Sequence, residues 1–379
     1  MPNAEVGTDE IPGSALGAVV KVLIAGGGTG GHLMPALALA RAFGEVREDV
    51  EVVLAGATRG IEADLFARYS FRYHLLPIEP IYRAQWWRNV RWPALAWRLI
   101  REVDRLLAAE APDVVVGTGG YAAGPVVWRA QRRRIPTAIQ EQNAFPGLTT
   151  RLLARRARQI HLGFPEARAR LRAPQAEFFS FGNPIRPPDP GDRAEAARSL
   201  GLQPDRRIVA VFGGSQGARG LNYAVAGALE HRDLGEINLI WGTGAAQIAR
   251  YQGYARPGRV VVQGFFDPMT ALYRAADLVV CRAGAITIAE LCAWGKASVL
   301  VPLPTAAADH QTFNARALAD AGASILLPEA ELSGKKLMEL VRELFRNPDR
   351  LAAIAKSASG RGHPDAARLI VSKILTLAG

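Results

Sequence analysis

The sequence predicts an α/β protein of two Rossmann-like, doubly wound parallel-sheet domains facing a cleft. Three observations carry this reading. From Val19 onward, short aliphatic and β-branched runs alternate with helical patterns, the rhythm of βαβ units whose strands are covered on both faces. The rhythm breaks once, at Asn183-Pro184-Ile185-Arg186-Pro187-Pro188-Asp189-Pro190, because proline lacks the amide hydrogen and the freedom in φ that a helix interior or central strand requires. It then restarts with the same opening of strand, glycine-rich turn and helix, over residues 208–229 as over 22–43, so the halves share a plan.

Taken in order, the expected strands are VVKVLIA, EVVLAG, DVVVG, TAIQ and RQIHLG before the break. After it come RRIVAVFGG, INLIWG, RVVVQGF, ADLVVCRAG, ASVLVPLP and ASILLP. Residues 1–18 carry Glu5, Asp9 and Glu10 but no Lys or Arg; the expectation is a loose tail, since a signal peptide opens on positive charge and continues with an apolar stretch. The 379 residues suffice for two domains, each with its own core.

Composition excludes several classes. With 49% hydrophobic and 21% charged residues, the chain is not disordered. Its two cysteines, Cys281 and Cys292, cannot form a disulfide framework and read as buried thiols of a reducing compartment. No apolar run reaches the roughly 18 residues that cross a bilayer. A net charge of +11 favours an anionic partner, whether nucleic acid, phosphate ligand or acidic membrane. Nucleic acid is not expected, because no strand alternates aromatic and basic residues as an RNA-binding sheet does. The charge is concentrated: residues 129–172 hold eleven arginines against Glu141 and Glu166, and residues 82–105 hold six arginines and four tryptophans.

Glycine turns carry the chemistry. Gly26-Gly27-Gly28-Thr29-Gly30-Gly31-His32 follows the first strand and opens a helix, where a phosphate can approach the backbone and meet free N–H groups. Gly26, Gly28 and Gly31 also satisfy GxGxxG, but the next strand ends Leu54-Ala55-Gly56, without the acid that holds a dinucleotide ribose. His32 reads either as a general base beside the turn or as a histidine bonded to the loop backbone. Two further turns, Gly117-Thr118-Gly119-Gly120-Tyr121 and Gly213-Gly214-Ser215-Gln216-Gly217, also end strands. Glu290 reads as an acceptor for a ribose diol or as a first-turn carboxylate favoured by the helix dipole. Asp309-His310-Gln311-Thr312 offers polar groups to sugar hydroxyls, or an ordinary N-cap at Asp309.

GGGTGGH, GTGGYAAGP, EQNAFPG, GNPIR, GGSQGA, CRAGAITIAE and DHQTFNA, in this order and spacing, closely resemble the MurG family, peptidoglycan N-acetylglucosaminyltransferases of the GT-B fold. The resemblance implies inverting transfer of N-acetylglucosamine from UDP-GlcNAc to a polyprenyl-linked muramyl pentapeptide. It further implies that Thr29, Gly30 and Gly31 touch the donor, that Asn143 holds its sugar, and that Arg186 and Ser215 meet its diphosphate. The backbone of Phe266 would read uracil, while Ala285, Ile286, Thr287, Ile288, Ala289 and Glu290 surround sugar, phosphate and ribose, and Gln311 contacts the GlcNAc hydroxyls. His32 matches the catalytic base, and Gly119, Gly120 and Tyr121 lie on the acceptor side. Domains are expected at 19–183 for acceptor and membrane and at 191–363 for UDP-GlcNAc, joined by a linker at 184–190, with residues 364–379 crossing back.

No metal or other cofactor is expected. No Asp-x-Asp occurs in the chain, and helix N-termini with Arg186 can stabilise a leaving diphosphate. The site on the cell is expected to be the cytoplasmic face of the membrane, held peripherally through anionic lipid, with Trp86, Trp87 and Arg88 as the contact. Leu95, Leu99, Val103 and Leu106 alternatively form the core face of an amphipathic helix; both can hold together. Other readings are a glycolipid glycosyltransferase, a UDP-GlcNAc 2-epimerase, or a non-catalytic basic protein on membrane or RNA.

Overall fold

A computed structural model describes residues 19–58, 66, 69–78, 92–214, 216–230 and 234–378. Ser215, Trp86, Trp87, Arg88 and the tail at 1–18 lie outside them. The first half contains β1 (Val20–Ala25), α1 (Gly30–Val46), β2 (Val50–Ala57), β3 (Arg72–Leu76), α2 (Trp92–Glu110), β4 (Val114–Gly117), α3 (Gly120–Arg132), β5 (Thr137–Glu141), α4 (Leu148–Leu153), β6 (Gln159–Leu162) and β7 (Glu177–Phe179). The second runs α5 (Arg193–Ser199), β8 (Arg207–Phe212), α6 (Arg219–Glu230), β9 (Ile237–Gly242), α7 (Ile248–Tyr251), β10 (Val260–Gln263), α8 (Thr270–Ala275), β11 (Leu278–Cys281), α9 (Ala285–Ala293), β12 (Ser298–Leu300), α10 (His310–Asp320), β13 (Ile325–Leu326), α11 (Gly334–Arg346), α12 (Pro348–Ser359) and α13 (Ala366–Leu375).

The two sheets are wholly parallel, with strand orders β3-β2-β1-β4-β5-β6-β7 and β10-β9-β8-β11-β12-β13. Each chain half starts in the middle, builds to one edge and reverses, which opens a crevice beyond the carboxyl ends of the central strands. Every strand expected from the sequence is present. β3 and β7 are additional, and both are sheet edges. Arg72 and Tyr73 of β3 are exposed, so the segment RYHLL lacks the continuous apolar run by which buried parallel strands are recognised.

Helices cover both faces of each sheet, giving four apolar clusters. One joins the halves: Ala144 and Phe164 from the first pack with Phe212, Ile288 and Leu291 of the second. Another joins the chain's ends, because Ala366, Ile370, Val371 and Ile374 of α13 pack with Leu33, Leu37 and Ala40 of α1. Gln159 Nε2 fastens α13 further by donating to the carbonyl of Lys373 at 3.0 Å. With that amide committed, its Oε1 accepts from Nε2 of fully buried His161 at 3.2 Å, whose ring stacks on Phe179.

Burial pushes His161 down to about 3, against an unfolded value of about 6.5. The folded ring therefore stays neutral where the unfolded one binds a proton. Its stabilising contribution is complete above pH 6.5 and is lost as pH falls toward 3, at no more than ~1.4 kcal/mol per pH unit for one proton. Denaturant unfolding across that window is expected to fall less steeply for His161→Phe than for the parent chain. Equal slopes would show that His161 titrates normally in the fold.

Candidate functional site

Two glycine turns interlock at the carboxyl ends of β1 and β4. A side chain on Gly26 would overlap Thr118, one on Gly28 would enter the Tyr121 ring, and one on Gly120 would overlap the carbonyl oxygen of Gly27. Gly28, Gly119 and Gly120 also have φ of 89°, 94° and 74°, where a Cβ is strained. These glycines thus serve loop-on-loop packing. The second half repeats the device, with Gly217 against the carbonyl of Thr243.

The interlock leaves helix N-termini open. α1 has Thr29 as its N-cap, α3 has Gly119 and α9 has Gly284, and none of the three receives a side-chain cap. The first N–H groups of each helix, Gly30 and Gly31 of α1 and Ala285, Ile286 and Thr287 of α9 among them, have no intrahelical acceptor. Such a terminus is suited to an anion. α1 and α9 lie in contact across the halves, and Gln142 and Asn183 link His32 near the start of α1 to the carbonyl of Ala285 at the start of α9.

His32 is the third residue of α1, and its Nδ1 lies 3.2 Å from the carbonyl of Thr118 and 3.0 Å from Gln142 Oε1. The Thr118 hydroxyl in turn donates to the His32 carbonyl at 2.9 Å. One ring nitrogen is thus tied to the loop, as the bland reading held, while Nε2 has no partner among the described residues. Gln142 is 2% exposed, and its Nε2 donates to the carbonyls of Thr118 and Gln140. The sequence reading passed over Gln142, although it stands within the quoted EQN.

The neighbouring residues are equally engaged. Buried Glu141 accepts from the backbone of Asn143 at 3.0 Å and shapes the turn that follows. Asn143 donates to Glu141 Oε1 and accepts from Asn314 Nδ2 at 3.1 Å. Asn314, fully buried on α10, also accepts from the backbone of Ala144 at 2.8 Å and donates to the carbonyl of Ala283. Asn183 donates to the carbonyls of Gln142 at 3.0 Å and Ala285 at 3.4 Å. Two buried asparagines therefore span the halves on either side of Gly284. Outside them, the rings of Phe145 and Phe313 stack at 4.7 Å under the Arg170 guanidinium.

In the second half, Glu290 is the sixth residue of α9, too far in to be a first-turn carboxylate. Burial raises its pKa above the ordinary range, while the Tyr273 hydroxyl, donating to Oε2 at 2.7 Å, lowers it. Gln311 Oε1 accepts from the backbone of Leu303 at 2.9 Å, which aims its amide group elsewhere. Asp309 does not cap α10 through its side chain; it accepts from the Thr312 hydroxyl at 2.6 Å. Phe266 is buried among Phe212, Leu272 and Tyr273 of the second half's core. Arg186 is exposed and makes no hydrogen bond or ion pair among the described residues.

On the outer side of the first half, Leu99, Val103 and Leu106 of α2 are buried, Leu95 is only half-buried, and Arg98, Arg101 and Arg105 are exposed, largely the amphipathic arrangement considered above. Trp97 is nonetheless 63% exposed and Trp128 on α3 40%, with Arg101 over the first ring and Arg129 and Arg132 beside the second. Among the described residues no helix is long and apolar enough to cross a membrane, and no group of three or more His, Cys, Asp and Glu could hold a metal ion.

Residues 22–162 match the glycosyltransferase family 28 N-terminal domain and residues 208–370 its C-terminal domain. The chain is 42% identical over 368 residues to a UDP-N-acetylglucosamine–N-acetylmuramyl-(pentapeptide) pyrophosphoryl-undecaprenol N-acetylglucosamine transferase of Chlorobium limicola, covering 95% of this chain and 100% of the relative. It is 44% identical over 359 residues to the transferase of that name from Myxococcus xanthus, covering 92% and 91%. The crystal structure of Acinetobacter baumannii MurG superposes with a TM-score of 0.75 at 29% identity, over 94% of this chain and 99% of that one.

The interlock makes a sharp contrast between neighbouring glycines. Gly120→Ala adds both overlap and backbone strain and is expected to cost about 2 kcal/mol or more. Gly31→Ala meets nothing closer than Thr29 Oγ1 at 3.8 Å and should fold normally. Thermal unfolding of the two variants compares them directly; equal midpoints would mean that the turns do not interlock in solution.

Proposed function

The chain belongs to glycosyltransferase family 28, alongside transferases that use UDP-N-acetylglucosamine, and from that membership we propose that it moves N-acetylglucosamine from UDP-GlcNAc to a polyprenyl-pyrophosphoryl-MurNAc-pentapeptide. His32 carries the mechanistic reading: one nitrogen is held by Thr118 and Gln142, and the other is left open in the first turn of α1. His32 Nε2 takes the proton of the acceptor hydroxyl as its oxygen attacks the anomeric carbon. The bond from that carbon to the β-phosphate oxygen breaks, and UDP leaves with the electron pair. One displacement from the opposite face inverts the anomeric centre.

The open N–H groups at the starts of α1 and α9, with Ser215 and Arg186, are suited to hold the diphosphate as its charge grows. Glu290, steadied by Tyr273, offers its other oxygen to the ribose diol. The backbone at Phe266 reads uracil, and the remaining donor of Gln311 and the amide of Asn143 meet the sugar hydroxyls. Gly119, Gly120 and Tyr121 face the acceptor. A protein-supplied anion site of this kind works without a metal cofactor. Because the acceptor's polyprenyl chain stays in the bilayer, the first half meets anionic lipid on the cytoplasmic leaflet, with Trp86, Trp87 and Arg88 joined by exposed Trp97 and Trp128 as indoles of the headgroup layer. The domains then divide as 19–183 for acceptor and 191–363 for donor.

Three assays test this. With UDP-GlcNAc and a short-chain acceptor, His32→Ala should lower kcat by roughly 10²–10⁴ and leave donor affinity nearly intact, whereas Glu290→Ala should weaken UDP-GlcNAc binding by roughly 1–3 kcal/mol. Near-normal turnover of the histidine variant would remove it from the mechanism. Turnover should persist in chelator; activity lost in EDTA and restored by magnesium would overturn the metal-free reading. The protein should sediment with anionic but not neutral vesicles and release in high salt, and replacing Trp86, Trp87 and Arg88 with Ser should abolish this.

A further inference from the structure

We propose that Gln142 is a positioning residue that holds the proton of His32 on Nδ1, keeping Nε2 open as the acceptor, and that Gln140 and Asn183 extend this control to the first residue of α9. The inference rests on the reading of His32 as the base.

The direction of each hydrogen bond follows from what surrounds Gln142. Its Nε2 lies 2.7 Å from the Thr118 carbonyl and 3.1 Å from the Gln140 carbonyl, and it also meets Gln140 Oε1. All three are acceptors, so the amide nitrogen must sit there and the amide oxygen must face His32. That oxygen and the Thr118 carbonyl are the two atoms against Nδ1. Neither carries a hydrogen, so the ring nitrogen between them does. A neutral imidazole has one N–H, and Nε2 is left with its lone pair. The opposite tautomer would set three lone pairs against one another beside the buried Gln142 amide.

The same logic fixes the next links. Because Gln140 Oε1 accepts from Gln142, its Nε2 donates, and it does so to Asn183 Oδ1 at 2.9 Å. Asn183 Nδ2 then donates back to the Gln142 carbonyl and across the halves to the carbonyl of Ala285, at the start of α9. Gln140, Gln142 and Asn183 are all at least 98% buried, so a missing partner is costly, and the carbonyls of Thr118, Gln140, Gln142 and Ala285 give the amides one orientation. The base and the donor helix are thereby set relative to one another by a single chain of side-chain amides.

The test uses the full chain labelled with ¹⁵N at its six histidines, His32 being assigned by its absence from the His32→Gln spectrum. The neutral ring of the parent protein should show the Nδ1–H tautomer; the Nε2–H tautomer overturns the proposal without any variant of Gln142. Gln142→Met keeps the length and removes both acceptor and donor. Its kcat should fall about ten- to hundredfold, the range typical of losing the partner that orients a metal-bound histidine, with KM for UDP-GlcNAc within about twofold and a mixture of tautomers at His32. Unchanged kcat in Gln142→Met, with His32→Ala inactive, would defeat the positioning role alone. Full turnover in His32→Ala would defeat the base itself, whatever tautomer the spectrum reports.

Discussion

The arrangement depends on buried side-chain amides satisfying one another across a seam between two sheets. Gln140, Gln142, Asn183 and Asn314 are buried, and a buried amide without a partner costs about 1–3 kcal/mol. Their partners lie in both halves, on the end of β5 and on the carbonyls of Ala283 and Ala285. The halves can therefore meet in this register only with every link made. Apolar packing at Ala144, Phe164 and Ile288 supplies the adhesion, but such contacts are non-directional. The amides supply the angle.

From that register the electrostatics follow. Parallel strands place the starts of α1 and α9 at the carboxyl ends of their sheets, and the seam brings those ends together. Both lack side-chain caps, which leaves local donors unspent at a cost that an anionic ligand offsets. The glycines that pack turn on turn make this possible by keeping the backbones close. Arg186 is exposed, as are Arg101 and Arg132 beside Trp97 and Trp128, whereas buried Arg282 is paired with Glu329.

Much of this was legible in the sequence. Buried strands such as VVVG of β4 announce themselves because both faces are covered, whereas β3 and β7, at sheet edges, carry exposed residues and lose the pattern. Glycine turns located the crevice, but their spacing could not say whether backbone or ligand fills the space; the overlap of Gly120 with Gly27 shows that backbone does. His32 was identifiable from its place after the turn. Gln142 and Asn314 were not, since a buried amide matters through partners distant in sequence, 110 residues away for the His32 contact and 171 for Asn143 to Asn314. Glu290 was legible as an acid on a helix, but its Tyr273 partner was not.

The central claim is that one base at one crevice drives a single displacement. The stereochemistry of the new sugar linkage tests it most directly. Incubating the protein with UDP-GlcNAc, whose anomeric bond is α, and a short-chain acceptor, then reading the anomeric proton coupling of the disaccharide by NMR, should give the β-linked product alone. An α-linked disaccharide would require a second displacement or a front-face attack, and would contradict the account.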